Sequence, residues 1–160
     1  MSEPQAQQEE VAQPRTAAGV LIFDEVGRVL LVNPTYKPGW EIPGGYLHPG
    51  ETPSEGAARE LKEELGLTTP IGRLLVADWA PHPSEGDKLL FVFDGGLITD
   101  ADRAQITPDG VEIGEYAFHD EPQLDALLIP RLARRIHAAF AAREHGGTDY
   151  LENGIAGPCH

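Results

Sequence analysis

Cysteine is almost missing from this chain: Cys159, one residue from the last, is the only one among 160. A lone thiol excludes an intramolecular disulfide and offers no thiolate cluster for a metal, and it fits a reducing, cytoplasmic setting. Basic residues are scarce as well. Twelve Lys and Arg face 26 Asp and Glu, for a formal net charge of −14, which opposes nonspecific binding to a nucleic-acid polymer or an anionic membrane. The same field repels an anionic small substrate, so metal ions and a few placed cations are needed to admit one. No apolar run approaches the roughly 20 residues that span a bilayer. The start, Met1 to Arg15, is polar and acidic and does not read as a signal sequence. No internal repeat is found.

Hydrophobic residues make up 41% of the chain, enough for the core of one ordinary domain. The composition divides the chain into a disordered acidic leader (1–14), a domain (15–145) and a tail (146–160). Thr16–Asp24 and Arg28–Asn33 are nearly continuous apolar runs around Glu25-Val26-Gly27, which predicts a hairpin buried on both faces. A short strand is expected at Trp40 and Glu41, longer ones over 71–79 and 88–94, and another in the run E-I-G-E-Y-A-F from Glu112. Asp94-Gly95-Gly96 and 99–110 read as loop. A short helix is predicted over 121–128 and a longer one from Pro130 to about Glu144, with Leu132, Ile136 and Phe140 on its buried stripe. Its Arg131, Arg134, Arg135 and Arg143 read as a solvated basic face. The tail, with Tyr150 and Leu151, is long enough for a small docking contact or for exchange within a homodimer.

The stretch that organises the rest is 45–67, G-Y-L-H-P-G-E-T-P-S-E-G-A-A-R-E-L-K-E-E-L-G-L. Thr52 suits an N-cap, Pro53 the first helical position and Glu55 the third, which completes a capping box. Gly66 sits where a left-handed residue ends a helix. Between them Ala57, Ala58, Leu61 and Leu65 form a stripe for a core. Glu60, Glu63 and Glu64 crowd together at i, i+3 and i+4, a repulsion of roughly 0.2–0.5 kcal/mol per pair that a hard divalent cation would relieve. Arg59 can bridge Glu55 and Glu63 or reach Glu51. Pro43-Gly44-Gly45 can bring bare backbone close to the same ion.

This stretch resembles the Nudix box, G-x5-E-x7-R-E-U-x-E-E-x-G-U with U a bulky aliphatic residue. Gly45, Glu51, Arg59, Glu60, Leu61, Glu63, Glu64, Gly66 and Leu67 fill its nine fixed positions. The resemblance implies an α/β/α sandwich around a central mixed β-sheet. It also implies hydrolysis of a nucleoside diphosphate linked to another moiety, a small-molecule nucleotide substrate, and Mg²⁺ or Mn²⁺ as cofactor. It implies metal ligation by Glu60, Glu64 and the Gly44 carbonyl, with Glu63 as ligand or as the base that activates water, and Arg59 and Glu64 in the catalytic group. An acidic residue from the later strand, Glu112 or Glu115, joins the metal site in many members. For substrate contacts the candidates are Tyr36, Lys37, Trp40 and Tyr46, each with core packing or plain solvation as its alternative. His82 and Pro83 mark a loop suited to specificity. A non-catalytic nucleotide sensor and an isoprenoid-diphosphate isomerase share the fold. The first usually has an eroded box, and the second needs a placed cysteine, which Cys159 is not.

Overall fold

A computed structural model describes residues 9–157; the first eight residues of the leader and Cys159 lie outside it. The order of elements is β1 (Arg15–Phe23), β2 (Val29–Pro34), β3 (Gly44–Tyr46), α1 (Pro53–Leu65), β4 (Leu74–Trp79), β5 (Lys88–Leu97), α2 (Asp100–Gln105), β6 (Ile113–His119), a 3-10 turn (Glu121–Gln123), α3 (Leu124–Leu127), α4 (Pro130–His145), β7 (Asp149–Glu152) and β8 (Ile155–Ala156). The strands form one sheet in the order β6-β2-β1-β5-β4-β7-β8, with β3 also paired to β1. β1 runs parallel to β5 and β4 parallel to β7, while the remaining pairs are antiparallel. It is the mixed sheet of an α/β/α sandwich.

The apolar runs of β1 and β2 are buried on both faces because alternate residues serve different helices. Leu21, Phe23, Val29 and Leu31 join the core under α4, which includes Leu132 and Ile136. Val20, Ile22, Leu30 and Val32 join the core under α1 with Ala57, Leu61 and Leu65. Leu61 and Leu65 are fully buried, each contributing about 1.5–3 kcal/mol. Leu61→Ala would cost about 2–5 kcal/mol. The hairpin turn is fixed by Asp24, whose Oδ1 accepts from the Val26 and Arg28 N–H groups at 3.1 and 2.9 Å while Oδ2 accepts from Arg28 Nε. Those bonds hold its carboxyl below the ordinary range although burial pushes it up.

Several expectations are corrected. Ala58 is exposed, and Gly56 takes its place on the buried face of α1. The strand at Trp40 and Glu41 is a single bridge between Glu41 and Val32. The strand predicted over 71–79 begins at Leu74, β5 continues through Asp94-Gly95-Gly96, and the loop over 99–110 contains α2, capped by Thr99. Arg135 and Arg143 are not a freely solvated face: Arg135 is buried against Asp78, and Arg143, partly exposed, binds Asp94 while lying over the Phe23 ring. The tail contributes β7 and β8, with β7 docked beside β4 of its own chain. No helix among the described residues is long and apolar enough to cross a membrane.

Candidate active site

Helix α1 starts and stops where its sequence demands. The Glu55 N–H donates to Thr52 Oγ1 and the Thr52 N–H to Glu55 Oε1, the two halves of a capping box. Gly66 ends it at φ 70°, its N–H donating to the Lys62 carbonyl. Arg59 is the hub of the exposed face. Its Nε and Nη2 donate to both oxygens of Glu51 at 2.7 and 3.0 Å. Its Nη1 donates to Glu60 at 2.9 Å and to Glu63 at 3.1 Å, and Nη2 also reaches the Tyr46 carbonyl. This guanidinium, with help from the His48 N–H, holds the Glu51 carboxyl down to about 2. Arginine's planar fork thus fixes three carboxylates in single rotamers.

Glu64 is on the other side of that hub and only 5% exposed. Among the described residues its carboxylate accepts one hydrogen bond, from the Gly44 N–H at 3.2 Å. Burial, then the Glu60 charge, pushes its carboxyl up to about 9 against the pull of that N–H. Backbone can come this close because Gly44 and Gly45 have no side chains. A Cβ on Gly44, at φ 155°, would lie 2.4 Å from the Ala18 carbonyl oxygen, and one on Gly45 would lie 2.7 Å from the Glu60 carboxyl.

Glu112 completes a triad: one carboxylate oxygen each from Glu60, Glu64 and Glu112 falls within 4.8 Å of the others. The loop before β6 brings it there. The Thr107 and Asp109 N–H groups donate to the Leu65 and Glu64 carbonyls at the end of α1. The Asp109 carboxylate then accepts from the N–H groups of Val111, Glu112 and Ile113 at 2.9–3.0 Å, which pulls its own carboxyl down. Glu115 goes elsewhere, accepting from Asn33 Nδ2 at 2.8 Å. Glu63 remains 56% exposed beside Arg59 and stands outside the triad.

Three oxygen ligands at this spacing fit a hard divalent cation. Glu64 makes the fit specific: a carboxyl this buried keeps its proton at neutral pH unless a positive ion lies against it. Arg59 does not fill that place, because it binds Glu60 instead.

A cleft of about 600 Å³ runs from Gly44 and Gly45 across β1 and β5 to the start of α4. Tyr36, Lys37 and Tyr46 line it. Lys37 is tied to Glu41 at 2.5 Å, and the Tyr46 ring carries the Arg15 guanidinium at 4.3 Å. Trp40 turns into the core, where its ring meets His119 edge-on at 5.3 Å. His82 also lines the cleft, its Nδ1 accepting from the Ser84 N–H. Sequence reasoning missed Lys88, which reaches over the Tyr46 ring at 5.5 Å, and Arg131 and Arg135 at the α4 end; all three line the cleft. The signal for Arg135 was its position beside Ile136, within the apolar stripe of α4.

The NUDIX domain family model matches residues 13–141. The chain therefore belongs to the Nudix hydrolases, a class of enzymes that act on diphosphate bonds. A Bacillus subtilis (strain 168) protein provisionally named 8-oxo-dGTP diphosphatase is 29% identical over 75% of this chain and 76% of its own length. Another from the same organism, provisionally named ADP-ribose pyrophosphatase, is 30% identical over 71% of this chain and 54% of its own length. The chain thus spans about three quarters of the first relative and about half of the second. The crystal structure of a MutT protein from Methanosarcina mazei Go1 superimposes with a TM-score of 0.68, at 24% identity, over 86% of this chain and 99% of the other, and it shares the fold.

Proposed function

We propose that the chain is a Mg²⁺-dependent pyrophosphohydrolase. Its substrate is a nucleoside diphosphate linked to another moiety, of the ADP-ribose or nucleotide-sugar type, or a nucleoside triphosphate; Mn²⁺ can replace Mg²⁺. The observation that carries this reading is the convergence of Glu60, Glu64 and Glu112 beside a cleft of nucleotide size. The names of the two Bacillus subtilis relatives point the same way, since ADP-ribose and 8-oxo-dGTP both present a phosphoanhydride on a nucleoside.

Bound at the triad, the metal would neutralise charge on the diphosphate and ease deprotonation of a water. The protein does the rest. Glu60, Glu64 and Glu112 offer oxygen ligands, joined by backbone at Gly44. Arg59 is a positioning residue, holding Glu60 and Glu51 so that the ligands are ordered before substrate arrives. We assign the base to Glu63, which Arg59 holds by one oxygen; it takes a proton from water as that water attacks one phosphorus and the phosphoanhydride bond breaks. Tyr36 and Tyr46 flank the cleft where a base or ribose can stack.

The test is a hydrolysis panel with and without Mg²⁺ over ADP-ribose, nucleotide sugars, dinucleoside polyphosphates and nucleoside triphosphates, with Glu64→Gln as the blank. Metal-dependent cleavage of one class, absent from the blank, supports the reading and names the substrate. Silence across the panel with nucleotide binding retained would move the assignment to a sensor.

A further inference from the structure

Four fully cationic side chains line the cleft, and three are already neutralised. Lys37 pairs with Glu41, Lys88 with Glu85 and Arg135 with Asp78. Arg131 has no carboxylate partner and no side-chain hydrogen bond among the described residues. It stands one turn before Arg135 on α4, so the two guanidinium groups share a helix face.

Arg135 is itself incompletely used. It is 7% exposed and donates through Nε to Asp78 Oδ2 at 2.6 Å, but its Nη nitrogens have no acceptor among the described residues. Those nitrogens are not among the fully enclosed atoms that lack a partner, and Arg135 lines the cleft, so they open into it. Ile129, the N-cap of α4, supplies no side-chain acceptor, which leaves the positive end of the helix uncapped where Ile129, Arg131 and Leu132 line the same cleft. Asp78 is held in turn by the Gly154 N–H at 3.1 Å, so the buried guanidinium is fixed in place by the C-terminal hairpin.

The geometry points to an anion subsite here. Arg131 and the Nη groups of Arg135 bind a carboxylate or phosphate on the moiety that the substrate's diphosphate carries. The inference rests on the pyrophosphohydrolase reading for what occupies the other end of the cleft. The cleft joins the two ends: Gly44 and Gly45, which lie against the Glu64 and Glu60 carboxyls, line the same space as Arg131 and Arg135. Two guanidinium forks match a planar carboxylate or a phosphate better than a neutral hydroxyl.

The test measures binding, on the full chain in EDTA so that no metal-dependent turnover intervenes. Calorimetry gives dissociation constants for two matched pairs, UDP-glucose against UDP-glucuronate and NAD⁺ against NADP⁺, with the wild type, Arg131→Ala and Arg131→Lys. The expected result is that the more anionic member of at least one pair binds about tenfold more tightly. That ratio falls to about one in Arg131→Ala and is partly restored in Arg131→Lys. The pair that shows it tells carboxylate from phosphate. Ratios near one for both pairs in the wild type, a ratio that survives Arg131→Ala, or no measurable binding of any probe would overturn the subsite. Failure of the hydrolysis panel with the ratio intact would strike the proposed reaction alone; a successful panel with ratios near one would strike the subsite alone.

Discussion

Helices α1 and α4 cover opposite faces of the same sheet, and each carries a cluster of one charge, yet they treat their most buried member differently. On α1, Arg59 is shared among Glu51, Glu60 and Glu63, while the more buried Glu64 receives only a backbone N–H. On α4, the buried Arg135 has a fixed partner in Asp78, and the more accessible Arg131 has none among the described residues. A buried charge that the fold has already paired is part of the scaffold. One that it leaves unpaired is available to a charge that arrives from outside. By that criterion Glu64 fits the proposed chemistry and Asp78 the architecture.

Breaking the two sides should therefore give different phenotypes. Glu64→Gln removes a proposed metal ligand without adding a buried charge, so kcat should fall by about 10³-fold or more, roughly 4 kcal/mol at 1.36 kcal/mol per decade. Its metal-free melting temperature at neutral pH should be no lower than that of the wild type, and higher if anything, because the amide needs no proton where the folded carboxyl takes one up; a parallel loss of both would refute the contrast. Asp78→Ala should do the reverse and act first on the fold. It leaves the Arg135 guanidinium buried without a counter-charge, a loss of about 3–5 kcal/mol readable in urea unfolding; the double variant Asp78→Leu with Arg135→Met should recover most of it.

The contrast can also be sharpened by pH. The Glu64 carboxyl is raised in the folded protein to about 9 from its ordinary 4.5, so the folded state binds the proton more tightly than the unfolded one. Metal-free stability from this group is complete below about 4.5 and is lost as pH rises towards 9, with a slope of up to about 1.4 kcal/mol per pH unit. Chemical denaturation across that window in EDTA should show the decline, Glu64→Gln should flatten it, and Mg²⁺ should offset it by binding the ionised form. The smallest effect is expected at the cap: Thr52→Ala should cost about 1 kcal/mol with kcat little changed, measured by thermal unfolding beside steady-state assay.

What could be read from the sequence follows the range of the interactions. The ends of α1, the Arg59 hub and the Glu60–Glu64 cluster depend on residues a few positions apart, where spacing alone fixes geometry. The choice of Glu112 over Glu115 was not legible, because it depends on the Asp109 turn and on bonds from the Thr107 and Asp109 N–H groups to the Leu65 and Glu64 carbonyls, 42 and 45 residues away. Arg135 was misjudged for a similar reason. A charged residue within an apolar stripe is acceptable only if a partner waits across the core, and Asp78 lies 57 residues earlier on another element. The tail looked detachable because β7 is short, and its place in the sheet comes from a parallel neighbour, β4.

The anchoring of residues 107–109 on the last turn of α1 constrains variation by length more than by composition. Between those bonds and Glu112 the chain has no slack. One inserted residue advances an extended backbone by about 3.3 Å, more than an entire Mg–oxygen bond of about 2.1 Å. Substitutions at the exposed Val111 should thus be tolerated far better than a single insertion or deletion between Asp109 and Glu112, so the segment functions as a ruler for the third carboxylate.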